Sequence, residues 1–322
     1  MEQNWFWRRA GMRAGLAFGA AMSGRLVADG LAMDPVMSAL VRFVRQRPLE
    51  ADDIGKLRTN YTALLAMAGL RLDATVKVTT VIMPGLPPAR EYAPDGEHRG
   101  TLLYFHGGGF IMGSPAVRDG LCRRLAAGAG IRVISAGYRL APEHPFPAAH
   151  DDAAAALAWM RQQHDGPLLV GGDSAGANLA AGLAQDGEVH GQVLIYPVVD
   201  MVQTAGRYPS LDTFADGYLL TAAGMEACAR ALIPPGVDRN EARLSPIQAD
   251  MSQAAPALIV VAGFDPLRDQ GTAYAQGLRA AGRPVELIEE PTLVHGFADF
   301  AGVVPEARRA VDRIVRAVRV ML

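Results

Sequence analysis

The sequence predicts an α/β fold, a mostly parallel central sheet with helices on both faces, built as one domain. Three observations predict it. From residue 76 onward, short apolar runs alternate with longer Ala- and Arg-rich stretches, as strands interleaved with helices do. Most of the short runs are apolar along their whole length, which suits strands buried on both faces of a sheet. No internal repeat, charge block or low-complexity linker divides the 322 residues, a length that one large α/β domain accommodates.

The elements follow in order. Residues 5–45 show loose helical spacing (Trp5, Met12, Leu16, then Met37, Leu40, Val44), weakened by glycines. Three readings stay open there: helices packed on the main body, a mobile lid whose Met side chains line a channel, or a helix resting on lipid. Strands are expected at 76–83, 101–105, 132–136, 168–170, 192–196, 258–262 and 285–288. Helices are expected at 116–129, 148–163, 175–185, 268–281 and 305–321. The run 201–245 breaks the alternation, with one helical segment at 221–232 among turn residues, and reads as an insertion over one end of the sheet.

Composition excludes several function classes. With 31 basic and 33 acidic residues the net charge is -2, which leaves no broad electrostatic footprint for nucleic acid. Cys122 and Cys228 are too few for a disulfide framework or a four-cysteine zinc site. No H-E-x-x-H, C-x-x-C or G-x-G-x-x-G is present, so neither a metal nor a dinucleotide cofactor is expected. Lys56 and Lys77 are the only lysines, and neither sits in a P-loop or an S-x-x-K motif. Trp5-Phe6-Trp7-Arg8-Arg9 and the uncharged run 14–24 superficially resemble a signal peptide. That run is short and glycine-rich and lacks an obvious cleavage site, so a cytoplasmic location is expected. The longest uncharged stretch, 100–117, contains His106, Pro115 and five glycines and suits a strand entering a loop better than a membrane span.

The chemistry concentrates in four segments. Leu168-Leu169-Val170 leads into Gly171-Gly172-Asp173-Ser174-Ala175-Gly176 and then an alanine-rich helix. A serine on a sharp strand-to-helix turn is forced into a strained backbone that presents its Oγ above the sheet, and flanking glycines make room for the turn. Tyr104-Phe105 runs into His106-Gly107-Gly108-Gly109, where missing side chains let backbone N–H groups approach a substrate oxygen. The expected oxyanion donors are the N–H groups of Gly108, Gly109 and Ala175, with Gly107 shaping the turn and His106 anchoring the loop. The general base is expected late in the chain. His190 precedes a strand and falls at the wrong end of the sheet, whereas His295 lies in a loop after the last strand. Asp265, directly after the preceding strand, is the preferred orienting acid, ahead of Asp200, with Asp269 and Asp212 behind. The expected catalytic set is Ser174, Asp265 and His295. Arg308, Arg309, Arg313, Arg316 and Arg319 recur at helical spacing and read as a solvated face, with an anionic partner as the other reading.

These segments, together with Asp265-Pro266-Leu267-Arg268-Asp269, His295-Gly296-Phe297 and the block Tyr138-Arg139-Leu140-Ala141-Pro142-Glu143-His144-Pro145, resemble the bacterial hormone-sensitive-lipase-like esterases from about residue 76 onward. The resemblance implies an α/β-hydrolase fold with a helical cap built from about 1–60 and 201–245. It implies a carboxylesterase acting on small esters with short-to-medium acyl chains, without a cofactor, in a subgroup that is often a homodimer. The first 32 residues precede Met33-Asp34-Pro35, which resembles the family's usual opening. Two other functions use the same fold: a catalytically silent small-ligand receptor, and a hydrolase of amides, lactones or aryl acetates.

Overall fold

Alternating side chains along each central strand decide the architecture. The computed structural model describes residues 2–45 and 53–322, with side chains from residue 9 onward. Its main sheet has eight strands: β1 (Val76–Val81), β2 (Ala89–Pro94), β3 (Thr101–Phe105), β4 (Arg132–Ala136), β5 (Leu168–Asp173), β6 (Gly191–Ile195), β7 (Ala257–Phe264) and β8 (Val285–Val294). Leu103, Phe105, Val170, Leu194 and Ile259 point to one core, and Leu102, Tyr104, Leu169, Val193 and Leu258 to another. The period of two puts successive apolar residues on opposite faces, so both faces must be covered. Helices α5 (Ala148–Gln163), α6 (Ala175–Leu183) and α9 (Arg268–Ala280) cover the first, while α4 (Asp119–Ala129) and α10 (Pro305–Val320) cover the second.

The strands lie in the order β8-β7-β6-β5-β3-β4-β2-β1. Those from β4 to β8 are parallel, with β3 between β4 and β5, whereas β1 and β2 pair antiparallel and β2 meets β4 antiparallel. Strand β2 was not expected from the sequence. The expected strand at 168–170 continues to Asp173, and that at 285–288 continues to Val294. The arginines of α10 also depart from a purely solvated face: Arg313 Nε donates to Glu290 at 2.8 Å, and Arg309 to Glu306 at 2.7 Å.

Ahead of the sheet lie α1 (Glu2–Met22), a short hairpin at 27–32, α2 (Pro35–Arg45) and α3 (Ile54–Ala68). Leu16, Met37, Leu40 and Val41 enter the second core, so these helices pack on the body. Residues 46–52 of the expected cap segment lie outside the described residues, as does the side chain of Trp5. Helix α3 runs through residue 60 and is fixed to the body by Arg58, which donates to the carbonyls of Ile111 and Ala141 at 2.7 and 3.0 Å and pairs with Glu143. The segment 201–245 holds two helices rather than one, α7 (Pro209–Thr213) and α8 (Ala222–Leu232). Its roots are clasped together: Asn178 of α6 donates to the carbonyls of Val198 and Leu244 at 3.0 and 2.8 Å, and Met201 N–H donates to Ser245 Oγ at 2.8 Å.

Candidate active site

Strand register brings four loops to the carboxyl edge of the sheet. Phe105 at the end of β3 pairs with Gly172 of β5, and Val294 at the end of β8 pairs with Phe264 of β7. The residues that follow these pairs, among them His106, Ser174, Asp265 and His295, therefore leave the sheet side by side. This is the edge at which open α/β sheets place their ligand sites. His295 follows β8 directly rather than from within a longer loop.

Ser174 has φ 53° and ψ -118°, a backbone that a residue with a Cβ rarely adopts and that costs on the order of 1–3 kcal/mol. The flanking glycines allow it. A Cβ on Gly172 would overlap the backbone of Gly176 and the carbonyl of Phe105, and one on Gly176 would overlap the carbonyls of Phe105 and His106. The turn thus packs against the end of β3 with no space for side chains. Ser174 Oγ lies 2.9 Å from His295 Nε2, and His295 Nδ1 lies 2.8 Å from Asp265 Oδ2. Asp265 is fully buried, and its Oδ1 accepts the Leu267 N–H at 2.8 Å. Tyr196, held at φ 37°, sets its ring 4.8 Å from the His295 ring and 5.2 Å from Phe297, so the imidazole is backed by an aromatic wall.

The loop after β3 turns through Gly108 (φ 130°) and Gly109 (φ 61°). Among the described residues no carbonyl takes up the N–H of Gly108, Gly109 or Ala175. A Cβ on Gly108 would overlap the Met112 carbonyl, and one on Gly109 would overlap Cys228 Sγ of α8. The segment 201–245 therefore reaches this loop. Gly109→Ala is expected to lower kcat about 100-fold, the scale of losing one oxyanion donor. Gly109→Ala with Cys228→Ala, measured alongside, should regain part of that loss, because only the backbone strain remains; equal activities of the single and double variants would contradict the contact.

His106 does not face Ser174 through its ring. Its Nδ1 lies 2.9 Å from the Gly107 carbonyl, its ring stacks on Tyr138 at 4.3 Å, and burial pushes its pKa down to about 4, so it is neutral near pH 7. His190 sits at the opposite edge, where its Nδ1 accepts the Leu168 N–H. Asp200 is engaged by Arg207 and Tyr208, each at 2.7 Å, Asp269 by Ser210, and Asp212 by Gly206. None of the three is bonded to His295. Among the described residues no cluster of three or more His, Cys, Asp or Glu is arranged to hold a metal ion, and no helix is long and apolar enough to cross a membrane.

Sequence reasoning missed a buried group beneath the serine. Arg118 and Asp173 pair face to face, both almost fully buried. Burial alone would raise the Asp173 pKa, but the Arg118 charge and its hydrogen bonds outweigh that and hold it below the ordinary carboxylate value.

Residues 102–299 match the family model described as an alpha/beta hydrolase fold. The chain is 37% identical to a carboxylic ester hydrolase, LipN, of Mycobacterium tuberculosis, over 92% of this chain and 85% of that protein. It is 36% identical to an ethyl acetate hydrolase of Pseudomonas putida, over 84% and 90%. A gibberellin receptor of Arabidopsis thaliana, GID1A, is more distant, at 34% over 63% and 64%. Among solved structures, an ester hydrolase from the metagenome of Lake Arreo superposes with a TM-score of 0.83 at 34% identity, over 89% of this chain and 98% of that one.

Proposed function

The chain belongs to the α/β-hydrolase family, in its hormone-sensitive-lipase-like esterase branch, and is a carboxylic ester hydrolase; on that premise we propose that it works as a serine esterase through an acyl-enzyme on short-to-medium acyl chains. One observation carries the mechanism: the hydrogen-bonded line from Ser174 Oγ through His295 to Asp265, at 2.9 and 2.8 Å.

In this reading His295 Nε2 takes the Ser174 proton as Oγ attacks the ester carbonyl carbon. Asp265 Oδ2 accepts the Nδ1–H, keeps Nε2 free to accept, and offsets the positive charge that forms on the ring. The N–H groups of Gly108, Gly109 and Ala175 receive the negative oxygen of the tetrahedral intermediate. Collapse breaks the ester C–O bond, and the alcohol leaves with the proton from His295. Water then repeats the sequence against the acyl-enzyme, releasing the acid and restoring the Ser174 hydroxyl.

We assign residues of about 1–60 and 201–245 as the cap over this site. The Cys228 approach to Gly109 and the Arg58 grip on Ile111 support that role, since both tie these segments to the glycine loop. A related ethyl acetate hydrolase supports the short acyl preference. The balanced charge and two unpaired cysteines support a reducing, cytoplasmic setting. A series of p-nitrophenyl esters from acetate to palmitate tests the substrate claim: kcat/KM should peak at a short chain. An optimum at palmitate would overturn it.

A further inference from the structure

One buried guanidinium touches the supports of three loops that meet at the site. Arg118 ends the short turn Pro115–Arg118 ahead of α4 and is 2% exposed. Its Nε and Nη2 donate to the two carboxylate oxygens of Asp173 at 2.9 and 2.6 Å. Its Nη1 lies 2.8 Å from Asp299 Oδ1, and its Nη2 also donates to Tyr61 Oη of α3 at 3.0 Å. Asp173 immediately precedes Ser174, and its Oδ1 accepts the Gly107 N–H at 3.0 Å and the Tyr104 hydroxyl at 2.7 Å. Asp299 lies in the turn Phe297–Phe300 that follows His295 and Gly296. The serine turn, the glycine loop and the histidine turn therefore share a centre, and α3 reaches it too.

A planar guanidinium with its donors in a fixed fork suits this task, because one rigid group spans two carboxylates and a phenol in set directions. A buried ion pair contributes little net stability, since desolvation offsets its attraction; what survives is direction. Directional precision is what the reaction needs, because a nucleophile, a base and oxyanion donors on separate loops must hold their places to within about 0.5 Å. The two acids are not equivalent. Asp173 is held ionised by its contacts, whereas burial pushes Asp299 up to about 6, with Asp173 adding repulsion and Arg118 and His295 pulling the other way.

We propose that Arg118 is a positioning residue for ester hydrolysis, fixing the His295 turn through Asp299 against the Ser174 turn and the glycine loop through Asp173. The proposal rests on the esterase reading above and adds a residue that touches no substrate.

Arg118→Lys tests it. The ammonium keeps the positive charge between two acids but lacks the fork that bridges them. kcat should fall about 100-fold, the scale of a misplacement of about 1 Å among reacting groups, with KM within about threefold of the wild type. The rate at which an alkyl phosphonate labels Ser174 should fall in parallel, while the far-ultraviolet circular dichroism stays unchanged. Should the lysine variant fail to fold, Asp299→Asn carries the test, because it keeps the shape and the Arg118–Asp173 pair and removes only the charged tie to the histidine turn. Its kcat should fall about tenfold at unchanged KM, a smaller geometric effect than loss of the whole bridge. A folded variant with kcat within about twofold of the wild type, or with the change confined to KM, would overturn the assignment. Wild-type protein that neither turns over esters nor reacts with the phosphonate would instead overturn the esterase reading, a result that needs no variant.

Discussion

Replacing Ser174 by alanine is expected to lower kcat by about 10⁴-fold or more on every ester that the wild type hydrolyses. The variant loses the attacking oxygen and nothing else of structural weight: Ser174 Oγ has His295 Nε2 as its hydrogen-bond partner, and the turn is held by the Ser174 N–H on the Ile195 carbonyl at 2.9 Å. The strained backbone at φ 53° carries a Cβ in both proteins, so the thermal midpoint should hardly move. Some activity above solution hydrolysis should persist from the remaining donors. A ligand receptor on this fold would show a different outcome, because its binding would survive the substitution with no activity to lose. Retention of kcat to within about tenfold would mean that the hydroxyl is not the nucleophile.

Asp265→Asn should cost nearly as much, about 10⁴-fold in kcat, for a tautomeric reason. Asp265 Oδ2 accepts from His295 Nδ1, while Oδ1 accepts from the Leu267 N–H. With the second acceptor fixed on Leu267, an asparagine turns its amide N–H₂ toward the ring. The imidazole then carries its proton on Nε2 and cannot accept one from Ser174. Asp200→Asn is the control, since Asp200 is spoken for by Arg207 and Tyr208 and sits outside the serine–histidine line. Its kcat should stay within about threefold of the wild type. Equal losses in the two variants would contradict the assignment of Asp265.

The positions of Ser174, His295 and Asp265 along the chain were legible because each stands directly after an apolar run that becomes a parallel strand. Such runs can end only at the carboxyl edge, so the loops that follow them must meet there. Strand β2 was not legible: Ala89-Arg90-Glu91-Tyr92-Ala93-Pro94 carries two charges and a proline, and only Ala89 and Tyr92 are buried. The extension of β8 was hidden for a related reason. Glu289, Glu290 and Pro291 read as a loop, but Glu290 is buried against Arg313, and the pairing with β7 is irregular between Glu290 and Val294, where a proline is tolerated. Arg118 was invisible because all but two of the 31 basic residues are arginine, and nothing local distinguishes it. The signal that could have found it is Asp173, a carboxylate inside a glycine turn that must be buried and must therefore have a cationic partner.

The central claim, that Ser174 is the nucleophile driven by His295, is tested most directly by intact-protein and peptide mass spectrometry after exposure to an alkyl phosphonate ester. One adduct per chain is expected, on the peptide that contains Ser174, with loss of esterase activity in proportion to labelling and no adduct in Ser174→Ala. An adduct on another residue, or full ester turnover in protein that is completely labelled at Ser174, would contradict it.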